Sequence, residues 1–100
     1  MKDVISSLRE LEKKLYPEWT ASWKVDNVPG EDNRFYWVSF FSMSSNIELI
    51  IDLNLDGSIQ GIELWNDNDI PYWNITSILE QKDLNSAFKE WIIFNIDLFI

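Results

Sequence analysis

The amino-acid sequence predicts an α+β domain, in which a four-stranded antiparallel meander sheet is flanked by an N-terminal helix and by a C-terminal helix or helices. Apolar residues follow the 3.6-residue period of a helix near both ends of the chain and the two-residue period of strands in between. Short polar turns separate the predicted strands, which favours pairing in sequence order. A chain of 100 residues is expected to form one domain, residues 1–100.

The first predicted element is an N-terminal helix. Its apolar residues recur at helical spacing and would share one face: Val4, Leu8, Leu11 and Leu15. Asp3 is suited to cap the beginning of this helix. Pro17 lacks a backbone N–H and cannot continue it, so the helix should end near Leu15.

Two strands and a loop are predicted next. Apolar and polar residues alternate over residues 19–25, as in a half-buried strand that could lie at a sheet edge. Residues 26–34 combine turn-forming and charged residues and indicate an exposed loop. Residues 35–43 are apolar at both alternating sets of positions. That composition is typical of a central strand that is covered on both faces or has one face on a partner.

A β-hairpin is the clearest local prediction. Residues 47–55 alternate between apolar and polar, Asp56 and Gly57 predict a type I′ turn, and residues 58–65 form the return strand. In this hairpin Leu49, Ile51 and Leu53 would lie beside Leu64, Ile62 and Gln60 on one face. The residues expected on the opposite face are Glu48, Ile50, Asp52, Asn54, Ile59, Gly61, Glu63 and Trp65.

The remainder of the chain is predicted to be a loop followed by helices. Residues 66–74 are polar and acidic around Pro71. Residues 75–100 have helical periodicity in two pieces. The last ten residues are apolar nearly all round, which fits either a buried helix or a strand-like terminus. They are too short for a membrane span, which needs about 20 apolar residues.

One segment resembles an EF-hand calcium loop. Residues 52–63 satisfy the fixed positions of that pattern, from Asp52 to Glu63. The pattern requires a helix on each side, whereas the flanking residues have the two-residue period of strands. The hairpin is therefore the favoured interpretation and no metal site is predicted, with a calcium-responsive binding module as an alternative.

Composition argues against an enzyme. The chain has no Cys and no His, which removes thiolate nucleophiles and the commonest general base and metal ligand. Two carboxylates about 5 to 9 Å apart could hydrolyse a glycosidic bond, but no pair stands out in the sequence. No Gly-rich phosphate loop is present. We expect a protein that is not an enzyme and that needs no cofactor.

The net charge restricts the partners. Its value of −9 opposes direct binding to nucleic acid and to anionic membranes. The N-terminal residues contain no apolar run that could form a signal-peptide core, so a cytoplasmic location is expected. The oligomeric state is left open.

Acidic residues are concentrated in the middle of the chain. Between Phe35 and Gln81 there are seven acidic residues and no Lys or Arg. Carboxylates beside a large exposed aromatic ring are typical of a surface that binds a basic protein, because the ring supplies contact area and the carboxylates attract the partner. A solvated face that only maintains solubility is the alternative. The predicted partner-binding residues are Glu48, Asp52, Glu63, Trp65, Asp67, Asp69, Tyr72 and Trp73, while Trp19, Trp23, Trp37 and Trp91 are expected to fill the core.

In its small size, strong acidity, Trp-rich sheet and lack of catalytic residues, the chain resembles the immunity proteins of bacterial contact-dependent growth inhibition and polymorphic toxin systems. The resemblance implies stoichiometric neutralisation of one cognate toxin, commonly a basic nuclease, by covering its active site or a nearby surface. No individual residue carries over from such a family. A second alternative is an acidic nucleic-acid mimic that inhibits a host enzyme through the same surface.

Overall fold

One helix precedes the four consecutive strands in the sequence, and further helices follow them. The computed structural model describes residues 3–26, 34–54, 56–66 and 71–99. In these residues the chain forms α1 (Val4–Leu15), β1 (Thr20–Asp26), β2 (Arg34–Ser42), β3 (Ile47–Leu53), β4 (Ile59–Trp65), α2 (Ile75–Leu79), α3 (Ser86–Phe94) and a 3-10 turn (Ile96–Leu98). The strands pair antiparallel in the order β1-β2-β3-β4, which confirms the predicted α+β meander.

Helix α1 begins and ends where the sequence predicts. The Asp3 carboxylate accepts hydrogen bonds from the backbone N–H groups of Ile5 and Ser6, which have no partner within the helix. The four predicted apolar residues are all buried, at 8% exposure or less. This stripe packs α1 against the sheet.

The first two strands differ little from the prediction. Trp19 precedes β1 and is buried, and β1 is an edge strand that pairs only with β2 in the part of the chain that is described. Asp26 and Arg34 belong to β1 and β2, so the predicted loop is shorter than expected. Its residues 27–33 lie outside the described residues.

Aromatic contacts join the helices to the sheet. Phe88 of α3 is fully buried and meets the rings of Trp19 and Phe40 edge to face, with centroids 4.8 and 5.1 Å away. Edge-to-face contact places the positive ring edge on the negative ring face of a neighbour. These contacts bring α3, the start of β1 and the middle of β2 into one core.

Two tryptophan side chains orient α1 through their indole N–H groups. Trp23 Nε1 of β1 donates to Glu12 Oε1 at 2.9 Å, and Trp91 Nε1 of α3 donates to Ser7 Oγ at 2.7 Å. The Arg9 guanidinium also lies 4.0 Å from the centroid of the Trp23 ring. Because the two indoles hold opposite sides of α1, they limit its rotation over the sheet.

The hairpin of β3 and β4 is confirmed, but the predicted type I′ turn is wrong. The Asn54 N–H donates to the Ser58 carbonyl, and the Gly57 N–H donates to the Asn54 carbonyl. Asn54 and Ser58 therefore close the hairpin, and Gly57, directly before Ser58, has a φ of 87°. A turn followed by a left-handed glycine is the usual three-residue hairpin loop.

This turn shifts the register at the beginning of β4. Ile59 lies opposite Leu53, and the ladder shifts by one residue before Asp52 pairs with Gly61. Ile59 therefore packs against the core, and its predicted position on the opposite face is wrong. Gln60 is exposed and does not oppose Leu53, which corrects the predicted pair. The two predicted core pairs farther from the turn are confirmed: Ile51 with Ile62 and Leu49 with Leu64.

The last 30 residues fold along the open edge of β4 and across the core face. Tyr72 pairs with Leu64 through two backbone hydrogen bonds of 3.0 and 2.8 Å and so extends the sheet by one residue. Residues 91–94 continue α3 and a 3-10 turn follows, so the segment is helical and not a strand. The predicted burial of this segment is wrong in part, because Ile93 and Phe94 are 59% and 75% exposed. None of the described helices is long and apolar enough to cross a membrane.

We predict that Gly57→Val destabilises the protein by about 1 to 3 kcal/mol, because a β-branched residue is strained at positive φ. Gly57→Asn should cost less, since Asn tolerates the left-handed region. Urea denaturation of both variants measures the difference. Equal losses would contradict the proposed role of this residue in the turn.

We predict that Phe88→Ala costs about 3 to 5 kcal/mol in unfolding free energy, because it leaves a cavity between Trp19 and Phe40. Phe94→Ala on the same helix is the matched control. Its ring is 75% exposed, so its loss should change stability by less than about 1 kcal/mol. Thermal and urea denaturation would show whether the two variants differ in this way.

Candidate protein interface

The strand register defines one face of the sheet that points away from the helices. Cross-strand partners form three rows on this outer face. The rows, from β1 to β4, are Thr20, Phe41, Glu48 and Trp65; Ser22, Ser39, Ile50 and Glu63; and Lys24, Trp37, Asp52 and Gly61. The prediction that Glu48, Asp52, Glu63 and Trp65 share one face is therefore confirmed by the register, as is the predicted position of Ile50.

The helices leave this outer face uncovered. All buried residues of α1, α2 and α3 that the structure describes belong to the core cluster on the other side of the sheet. The outer-face residues of β1 are exposed, and those of β3 and β4 are half-buried. None of the described helices therefore covers this apolar and acidic sheet surface.

Aromatic rings surround the centre of the outer face. Phe41 is 37% exposed, and Trp37 and Trp65 are half-buried. Ser39 lies between Trp37 and Phe41 on β2 and is only 3% exposed, because larger side chains surround it. The face therefore combines ring surfaces with a small, buried residue at its centre.

The sequence did not identify Trp37, Phe41 and Ser39 as part of the candidate site. Since β2 is apolar at both alternating sets of positions, its sequence does not distinguish the core face from the outer face. The expectation that Trp37 fills the core is wrong: its cross-strand partner is Asp52, on the outer face. One interpretation of this apolar strand was that one of its faces contacts a partner. That interpretation was the sequence signal that could have identified the three residues.

Hydrogen bonds hold the outer-face carboxylates in place. Ser39 Oγ donates to Glu48 Oε2 at 2.5 Å, and Trp65 Nε1 donates to Glu63 Oε1 at 3.1 Å. Asp52 and Glu63 lie on adjacent strands, one row apart on the same face, where their carboxyl groups can share a hydrogen bond. A hydrogen bond between two carboxyl groups requires that one of them is protonated.

The environment of Asp52 favours its neutral form. Partial burial, the hydrogen bond to Glu63 and the negative charge of Glu63 raise the pKa of Asp52 to about 7. Lys24 is the only basic residue in the three rows, and Trp37 of β2 separates it from Asp52. The proton on Asp52 therefore lowers the negative charge of the pair, as a neighbouring cation would do at another site.

Two other predicted residues lie apart from this group. Tyr72 is half-buried against the core and paired with Leu64, so the structure gives it a packing role at the edge of β4. Trp73 is 61% exposed and lines a cleft of about 370 Å³ beside the beginning of β4. Asp67 and Asp69 lie outside the described residues.

The calcium-loop pattern does not produce an EF-hand. Its residues form the end of β3, the three-residue turn and β4, so the flanking helices are absent. Among the described residues, no group of three or more His, Cys, Asp or Glu side chains could hold a metal ion. Asp56 instead accepts hydrogen bonds from the backbone N–H and hydroxyl of Ser58, which stabilise the turn.

The chain matches no protein-family model, no curated protein and no solved structure. The chemistry of the outer face is therefore the basis for a functional proposal. It offers carboxylates and aromatic rings on a rigid sheet, a combination suited to binding a basic protein surface.

We predict that Asp52→Asn raises the unfolding free energy by about 1 kcal/mol near pH 8 and has little effect near pH 4. An aspartate whose pKa is raised in the folded state keeps its proton while the unfolded chain loses it. Wild-type stability should therefore fall as the pH rises from 3.8, the ordinary pKa of aspartate, to about 7. The gain is small because solvent screens this partly exposed pair.

Urea denaturation across this pH range measures the difference between the variant and the wild type. Asp97→Asn, on the exposed 3-10 turn, is the control for loss of one carboxylate. A stability gain for Asp52→Asn that is the same at every pH would contradict the shared proton.

Proposed function

We propose that this protein is a non-catalytic binding protein of the cytoplasm that neutralises a cognate basic toxin domain of the nuclease type. It acts by covering the active site of the toxin or a nearby surface. The single observation that carries this proposal is the uncovered outer face, where Glu48, Asp52 and Glu63 lie among aromatic rings.

Charge supports a basic partner. The active site of a nuclease attracts phosphates with Lys and Arg side chains, and carboxylates can form charge-assisted hydrogen bonds to the same groups. No Lys or Arg occurs from Phe35 to Gln81, so β3 and β4 contribute no basic residue that would compete with the partner. The net charge of −9 would also accelerate the encounter with a basic protein.

The aromatic rings supply the apolar contact that carboxylates lack. Trp65 is half-buried and its indole N–H is satisfied by Glu63, so its ring is held in place before a partner binds. A ring that is already ordered loses little side-chain entropy on binding. Trp65 is accordingly the expected anchor, with Trp37 and Phe41 extending the contact across β2.

We predict that Trp65→Ala weakens toxin binding by about 2 kcal/mol or more and speeds dissociation, as for the anchor of an interface. Glu63→Lys should mainly slow association and reduce its salt dependence, because it reverses a charge that attracts the partner. Glu90→Lys, on the exposed side of α3, is the matched control and should retain wild-type dissociation.

The test begins with the product of the adjacent gene, which the proposal predicts to be a toxin. Co-expression of wild-type protein should restore growth, Trp65→Ala should fail to do so at the same protein level, and Glu90→Lys should protect. Binding kinetics at two salt concentrations then distinguish the two effects. Loss of the Trp65 contact should speed dissociation, and loss of charge attraction should slow association. Toxicity that is unchanged by the wild-type protein would refute the proposal. Equal binding to unrelated nucleic-acid enzymes would favour the general mimic instead.

A further inference from the structure

Asp52 and Glu63 are a pair of like charges at the centre of the outer face. They lie on adjacent strands of a rigid hairpin, so neither backbone can move away without breaking the ladder between β3 and β4. Glu63 is further held by the indole N–H of Trp65. The two carboxyl groups must therefore either repel each other or share a proton.

Within the three rows of described outer-face residues, little positive charge offsets this repulsion. On β3, Glu48 faces the same side and adds a negative charge, with Ser39 as its hydrogen-bond donor. On β2, the residues of the outer face next to Asp52 and Ile50 are uncharged, Trp37 and Ser39. On β1, Lys24 is two strands from Asp52, or roughly 10 Å, where salt screens most of the attraction. The described helices pack on the other side of the sheet.

We propose that the Asp52–Glu63 pair is a proton switch that sets the charge of the outer face, so that the protein holds its basic partner more weakly as the solution becomes more acidic. The effect on a toxin rests on the proposed function. The switch itself is a property of the free protein. Loss of the shared proton leaves both carboxylates charged, and a cation that binds to the face favours that state.

The direction follows from proton linkage. With the pKa of Asp52 at about 7, the pair carries two negative charges in mildly alkaline solution and one in mildly acidic solution. A cationic ligand prefers the doubly charged form, so its binding releases a proton and its dissociation constant rises as pH falls. The change is limited to tenfold for each pH unit, because only one proton is involved.

The first measurement needs no partner. Carboxyl carbon NMR of the full chain should show Asp52 titrating near neutral pH. In Glu63→Gln, which removes the neighbouring charge, Asp52 should titrate at lower pH. Glu48→Gln is the matched control, because it removes a carboxylate from the same face and leaves the pair intact; here Asp52 should still titrate near neutrality.

The second measurement uses an oligoarginine peptide as the cationic probe, since its charge is constant over this pH range. Its dissociation constant for the wild-type protein should rise several-fold between mildly alkaline and mildly acidic solution. Asp52→Asn should bind with little dependence on pH. Glu48→Gln should bind more weakly throughout, with the same pH dependence as the wild type.

Three results would overturn the switch: Asp52 titrating in the ordinary acidic range, no binding of the probe at any pH, or the same pH dependence in wild type and Asp52→Asn. Failure of the proposed function has a different signature. In that case Asp52 titrates near neutrality and the probe binds as expected, while the neighbouring toxin is bound equally well by wild type, Trp65→Ala and Glu63→Lys.

Discussion

The packing of Phe88 between Trp19 and Phe40 is the contact on which the rest of the structure depends. It joins α3, the start of β1 and β2 through fully or nearly fully buried rings. Only one of the two apolar faces of β2 can receive this helix. Once Phe40 is on the inside, alternation along the strand places Trp37, Ser39 and Phe41 on the outside together with their cross-strand partners. The position of one helix thus determines which residues form the candidate interface.

Hydrogen bonds stabilise the carboxylates that lie close together on the outer face. Asp52 is partly buried and lies beside the negatively charged side chain of Glu63, and both effects disfavour a second charge at this position. The pKa of Asp52 is consequently raised to about 7, so its neutral form is favoured in acidic solution. The indole of Trp65 and the hydroxyl of Ser39 stabilise the carboxylates that remain. A face organised in this way is ordered before any partner arrives.

Much of the candidate site could be predicted from the sequence because β3 and β4 have strict polar and apolar alternation. Glu48, Asp52, Glu63 and Trp65 fall on one face for that reason. Ile59 was misplaced, since a register shift beside a three-residue loop depends on backbone geometry that residue types alone do not specify. Tyr72 was assigned to the same surface as Trp73 through proximity in sequence, whereas its backbone pairs with Leu64 and turns its ring toward the core.

The sequence by itself determined the Asp3 cap of α1, the order of the strands and the acidic character of the central segment. These features depend on local propensity and on the period of the apolar residues, which can be recognised without knowledge of distant contacts. Only the tertiary structure decided which face of β2 is covered, that the C-terminal residues continue α3 into a 3-10 turn, and that Asp52 meets Glu63. Each of these depends on residues that are far apart in the chain or on the exact register between strands. The charge of the outer face is consequently a property of the fold, although the acidic residues themselves can be read from the sequence.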